Sequence, residues 1–156
     1  MSTNLIKKSY DLLKHVPGGK RLFSKMVGRA APYTGNIKGE VLDIRPGYAR
    51  VRLADRRAVR NHLNSIHAIA LVNLGELATG LAFIYGLPDN SRCILTGISA
   101  EYIKKARGTL IAEGTAPIPE TSERAEYTVQ AEIRDARGEV VTRVTARWLI
   151  APESPR

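Results

Sequence analysis

The hydrophobic positions of this chain change their period along its length. Leu5, Ile6, Ser9, Leu12, Leu13 and Val16 fall at helical spacing, with Lys7, Lys8, Asp11 and Lys14 on the other side. This predicts a short amphipathic helix, which Pro17-Gly18-Gly19 stops. A second helical piece, Lys20 to Ala30, carries Leu22, Phe23, Met26 and Val27 on its apolar side and ends before Pro32. The period then falls to two. Asn36–Ile44 and Tyr48–Ala54 read as strands joined by Arg45-Pro46-Gly47-Tyr48, where Pro presets φ and Gly tolerates a positive φ. From Asn61 to Gly86 the chain is polar at first and then almost wholly apolar, with Glu76 inside the apolar run. Four further strands follow: Arg92–Lys104, Thr109–Ala116, Glu123–Asp135 and Glu139–Ile150. In the first of them Ile94, Thr96, Ile98, Ala100 and Tyr102 are expected on one face.

The predicted order is therefore helix, helix, β, β, long helix, β, β, β, β. Connections of hairpin length imply an antiparallel sheet among the last four strands. One long helix, apolar all round, and a sheet with one apolar face bury both by wrapping the sheet around the helix. The fold class is α+β. The expected organisation is an N-terminal helical extension (1–34) packed on one domain (35–150), with a tail at 151–156. The first helix lacks Trp or Phe on its apolar side, so packing on the domain is expected rather than a place on a membrane surface.

Composition narrows the function classes. Apolar residues make up 44% and charged residues 25%, as in ordinary globular proteins. A single cysteine, Cys93, excludes an internal disulfide and a cysteine-based zinc site. The expected metal complement is none. No run reaches about 18 apolar residues without a polar interruption, and the N-terminus lacks a signal-peptide apolar region, so no integral membrane span and a cytoplasmic location are expected.

The net charge of +9 is unevenly placed. Residues 1–60 hold 14 Lys/Arg against 4 Asp/Glu, whereas residues 61–156 hold 10 against 11. A basic half suits a polyanion or serves only as a solvated face. Nucleic acid is not the expected partner, because the cations are spread over several elements, aromatics are 6%, and no nucleic-acid motif occurs.

Glu76 is the residue that calls for chemistry. Burying an unpaired carboxylate costs several kcal/mol, in order-of-magnitude terms, so it is either paired with an arginine or part of a site. His67 precedes it by nine residues, and Asn61 precedes His67 by six. With this spacing and element order, residues 35–150 resemble the hotdog-fold acyl-CoA thioesterases, particularly the phenylacetate-pathway and small mitochondrial branch and related uncharacterised hotdog proteins. The run Lys104-Lys105-Ala106-Arg107-Gly108-Thr109 is similar to the basic turn after the third strand of that family. The chain departs from the pattern at Asn64, where the family has Gly, and at Ala68-Ile69, where it has Gly-Gly.

The resemblance implies a hotdog fold and hydrolysis of an acyl-CoA, in a homodimer or dimer of dimers (a homotetramer). Coenzyme A would enter as part of the substrate, with no separate cofactor. The implied catalytic set is Glu76, Asn61, His67 and Ala68. The N–H of Ala68, at a helix N-terminus capped by Ser65, would be the main oxyanion donor, with that of His67 also free. Asn61 or His67 would orient the carbonyl or the water. Glu76, reached across the dimer and with its pKa raised by desolvation, would be general base or nucleophile. Thr96 would hold a water. Arg56, Arg57 and Arg60, with Lys104, Lys105 and Arg107, would meet the phosphates of coenzyme A. The alternative is a non-catalytic hotdog domain that binds acyl-CoA or a fatty acyl group. His15 and His62 are expected on the surface, Cys93 half-buried in a strand, and Phe83 and Tyr85 in the core.

Overall fold

The computed structural model describes residues 3–153. In chain order they form α1 (Thr3–Leu13), α2 (Gly19–Ala30), the single turn α3 (Pro32–Gly35), β1 (Glu40–Arg45), β2 (Tyr48–Leu53), a 3-10 turn (Arg57–Val59), α4 (Ala68–Gly86), β3 (Ser91–Tyr102), β4 (Leu110–Thr115), β5 (Ala125–Arg134) and β6 (Val140–Pro152). The strands make one sheet in the order β1-β2-β4-β5-β6-β3, every pair antiparallel. The sheet wraps α4. This is the hotdog fold that the resemblance implied, with α1, α2 and the short α3 ahead of it.

α4 is apolar on all sides because the sheet meets it on most of them. Leu74, Ala78, Ala82 and Phe83 have no exposed surface. The helix is long and apolar enough to cross a membrane by length and composition, yet 67% of its most apolar window is buried inside the protein. Small residues set how close it lies. A Cβ at Gly114 of β4 would stand 2.4 Å from the Ala78 carbonyl oxygen, and one at Gly75 would stand 2.4 Å from Val144 of β6. Gly80 rests on the indole of Trp148.

The two edges of the sheet are treated differently. Along β1, Val41 N–H donates to Ser24 Oγ (2.9 Å) and Ile44 N–H to Tyr10 Oη (2.9 Å), while Lys20 Nζ donates to the Leu42 carbonyl (2.6 Å). The N-terminal helices thus satisfy that edge, as a sheet edge requires. This corrects the expected inner face of α1. Ile6 and Tyr10 are buried, and Leu13 packs on the core, whereas Leu5 and Leu12 lie in solvent, 50% and 74% exposed. Tyr10 stacks edge-on against Phe23 and Tyr85, with centroids 5.1 and 5.8 Å away. In α2, Phe23 is buried but Leu22 is half exposed.

β3, at the opposite edge, runs 12 residues and pairs only with β6. Its register shifts between Leu95 and Gly97, so Thr96 sits in a bulge. The bulge overturns the expected single face. Before it Cys93 and Leu95 pack on the core, opposite Ile150 and Trp148; after it Ala100 does, opposite Val144, while Ile98, opposite Ala146, stays 37% exposed at the edge. Ile94 is left outside, 63% exposed.

Because β4 and α4 meet backbone to backbone at Gly114, Gly114→Ala should force them apart. The expected loss is about 1–3 kcal/mol, the usual cost of overpacking. Urea denaturation should show a lower midpoint at unchanged slope.

Candidate functional site

The α4 N-terminus is built by the loop before it. Asn61 N–H donates to the Ser65 carbonyl (2.8 Å), and Asn61 Oδ1 accepts from Leu63 N–H (2.9 Å), Ser65 N–H (3.2 Å) and Ser65 Oγ (3.1 Å). Ser65 is therefore buried in the loop and is not the helix cap. The cap is His67, whose Nδ1 accepts from Ile69 N–H at 3.1 Å. That bond requires an unprotonated Nδ1 and leaves Nε2–H free on an exposed ring. Nor is the His67 N–H available, since it donates to the Val59 carbonyl at 2.8 Å. The Ala68 N–H, first of the helix, has no partner among the described residues. It remains an open donor at the positive end of a 19-residue helix.

A hollow of about 310 Å³ opens beside this terminus, lined by Tyr33, Asn36, Arg60, His67, Ile69 and Asn73 among others. Asn73 was not singled out for a role by the sequence. Its Nδ2 donates to the Tyr33 carbonyl (3.4 Å), and its Oδ1 is buried with no partner. No sequence pattern marks an unmet acceptor of this kind, because the amide's one partner, the Tyr33 carbonyl, lies 40 residues away in α3.

Glu76 is half-buried, and its carboxyl makes no hydrogen bond or ion pair with any described residue. The arginine-paired alternative is thereby absent among the described residues. Burial alone pushes its carboxyl above the ordinary value of 4.5. Eight residues separate it from Ala68, a rise of ~12 Å along the helix. The structure thus does not bring Glu76 to the open N–H of its own chain.

Thr96 is elsewhere. Its Oγ1 donates to Glu126 Oε2 (2.6 Å) and lies 3.1 Å from the Arg147 carbonyl, on the outer face of the sheet. Its hydroxyl is thus committed to partners on that face and makes no bond with Glu76. Tyr102 of β3 does reach the helix end, donating to the Ala68 carbonyl at 3.2 Å.

The two basic loops come together. Ile66 N–H donates to the Ala106 carbonyl (2.8 Å), and Gly108 N–H to Asp55 Oδ2 (2.9 Å). Most of their cations are already engaged. Arg56 donates to the Ile37 carbonyl (2.7 Å), Arg60 pairs with Asp55 (2.6 Å), Lys104 with Asp135 (2.8 Å) and with Glu139, and Arg107 reaches the Leu63 carbonyl (3.4 Å). Arg57 and Lys105 are exposed without such partners. His62 and Cys93 lie as expected, exposed and half-buried, and burial pushes the Cys93 thiol up to about 11. Phe83 is buried against Tyr127, and Tyr85 donates to Asp11. The described residues contain no group of three His, Cys, Asp or Glu placed to hold a metal.

A family model for a domain of unknown function, DUF4442, matches residues 19–150. The chain belongs to this family. Among solved structures, a structural-genomics protein, APC5556, is similar over 95% of this chain and 99% of its own, at 29% identity and a TM-score of 0.82. A Pseudomonas aeruginosa protein of unknown function, described as a probable thioesterase, is 22% identical with a TM-score of 0.73, covering 86% of this chain and 94% of its own. A mutant thioesterase enzyme from Staphylococcus aureus is 15% identical with a TM-score of 0.69, covering 78% and 99%. These likenesses establish the DUF4442 chain as a hotdog protein. No curated protein matches it.

The raised Glu76 pKa has a sign that can be checked. Below the ordinary glutamate range the folded and unfolded chains both hold the proton. As pH rises through the window up to the folded value, only the unfolded chain loses it, so stability falls. Glu76→Gln should therefore be more stable than the parent at pH 7, with the difference vanishing below about pH 4. Thermal melts of both proteins across pH would show it.

Proposed function

We propose that the protein is an acyl-CoA thioesterase acting as at least a homodimer, with Ala68 of one subunit and Glu76 of the other at each site. The observation that carries this reading is the unpartnered, desolvated Glu76 carboxyl, ~12 Å along α4 from the open Ala68 N–H. Two groups too far apart to act on one carbonyl within a chain can meet across a two-fold axis. The uncovered β3 edge supports such an axis. It leaves Ile98 37%, Tyr102 48% and, at the start of α4, Ile69 50% exposed. The solved hotdog proteins described as thioesterases support the reaction class.

In this reaction Glu76 takes a proton from water as the water oxygen attacks the thioester carbon. The carbonyl oxygen becomes an oxyanion, held by the Ala68 N–H and the helix dipole. His67 Nε2–H is a second donor at the same end. Collapse expels the coenzyme A thiolate, which recovers the proton from Glu76, and the acyl chain leaves as a carboxylic acid. Asn61 acts indirectly, by fixing the loop that sets the helix start. Arg57 and Lys105, the uncommitted cations of the two joined loops, are the groups for the phosphates. No cofactor is needed beyond the coenzyme A of the substrate.

Binding without turnover is the second reading. It is favoured by Ile69, a bulky side chain in the wall of the N-terminal hollow, where the family pattern has glycine. A panel of short, aromatic and long acyl-CoAs, followed by release of free thiol, separates the two. The expected result is turnover by the parent and a loss of at least about 100-fold in kcat for Glu76→Gln, the scale of general-base catalysis. Full activity in Glu76→Gln would sink the mechanism. Binding of the panel without thiol release would establish the second reading.

Ile98→Glu places a charge on the open flank. In light scattering it should run as a monomer, with turnover lost in parallel. A dimeric, active Ile98→Glu protein would overturn the shared site.

A further inference from the structure

A larger pocket, of about 710 Å³, lies between α2, α3 and β1, on the other side of α3 from the α4 N-terminus. Its volume is that of a small-molecule site. Its floor is apolar, from Val27, Pro32 and Leu77. One wall is bare backbone, because α2 and α3 cross at two glycines. A Cβ at Gly35 would stand 2.3 Å from the Gly28 carbonyl oxygen.

The rim is basic and unneutralised. Lys25, Arg29 and Lys38 line it, and none forms an ion pair with a described residue. The one carboxylate on the lining, Glu40, is already held by Arg52 and, at 3.4 Å, by Arg21. Lys38 is kept at φ 51°, in the left-handed region where glycine is favoured. A cation held there despite its backbone is the kind of local strain that persists at ligand sites.

An apolar floor under three free cations selects a ligand that is itself two-sided. We propose that this pocket binds an amphipathic anion, a medium-chain carboxylate, with its chain on Val27, Pro32 and Leu77 and its head among Lys25, Arg29 and Lys38. The site is separate from the one assigned to thioester hydrolysis. None of its cations is among those placed against coenzyme A, and it does not depend on that reading.

The test is calorimetric titration of the full chain with decanoate, decanol and coenzyme A. Decanoate should bind saturably below its micelle concentration, and decanol at least tenfold more weakly. The triple variant Lys25→Ala, Arg29→Ala, Lys38→Gly changes only surface groups, and its glycine suits the backbone at 38. It should weaken decanoate at least tenfold while acyl-CoA turnover stays at the parent's level, whatever that level is. Val27→Trp, which fills the floor, should abolish decanoate binding. Equal affinity of the triple variant, equal affinity for decanol, or no saturable binding by the parent would each overturn the proposal. Coenzyme A titrating in place of decanoate, with the same dependence on the three cations, would overturn it in favour of a polyphosphate site. Loss of turnover together with decanoate binding would overturn the claim that the two sites are separate.

Discussion

Everything in this molecule follows from how closely α4 lies against its sheet. At Gly114 and Ala78 the contact is backbone on backbone, and at Gly75 a valine side chain takes the space a Cβ would fill. Contacts of that kind leave no slack, since close-packed interiors do not absorb added volume. They fix the helix along its length, and so fix where its N-terminus emerges and which residues meet solvent. Ala68 and Glu76 owe their places to glycines that take no part in any chemistry.

The second determinant is the contrast between the sheet edges. On β1, side chains from α1 and α2 take up N–H and carbonyl groups that a neighbouring strand would otherwise use. Among the described residues β3 has no such cover. The N-terminal extension thus does more than pad the domain: it closes one edge and, through its own pocket, adds a cavity that the wrapped sheet alone would not have.

The element order was legible because each element keeps its period long enough to be read. The wrapped helix was legible because it is apolar all round among strands that are not. The misreadings share one cause, a long-range partner that local pattern does not contain. Leu5 and Leu12 match a helical stripe, but Tyr10 takes the buried place because its hydroxyl meets Ile44 N–H, 34 residues away. Ser65 looks like a cap, but Asn61 engages it first and His67 caps instead. The basic residues before and after α4 read as free, yet Arg60 and Lys104 already have Asp55 and Asp135. The spacing of Asn61, His67 and Glu76 showed where to look; that Glu76 has no partner, and that Ala68 keeps a free N–H, could only be read from the fold.

The bulge at Thr96 carries a consequence for how this fold tolerates change in length. On either side of it β3 keeps strict alternation against β6, so gaining or losing one residue elsewhere in the strand would turn a whole segment inside out. Position 96 is the exception. The ladder already passes over it, from Leu95–Trp148 directly to Gly97–Arg147. A chain lacking this one residue would keep every pairing and both inward faces, and would give up the local bend. The same position carries the hydroxyl tying β3 to Glu126 on the outer face, so its loss would cut that tie as well.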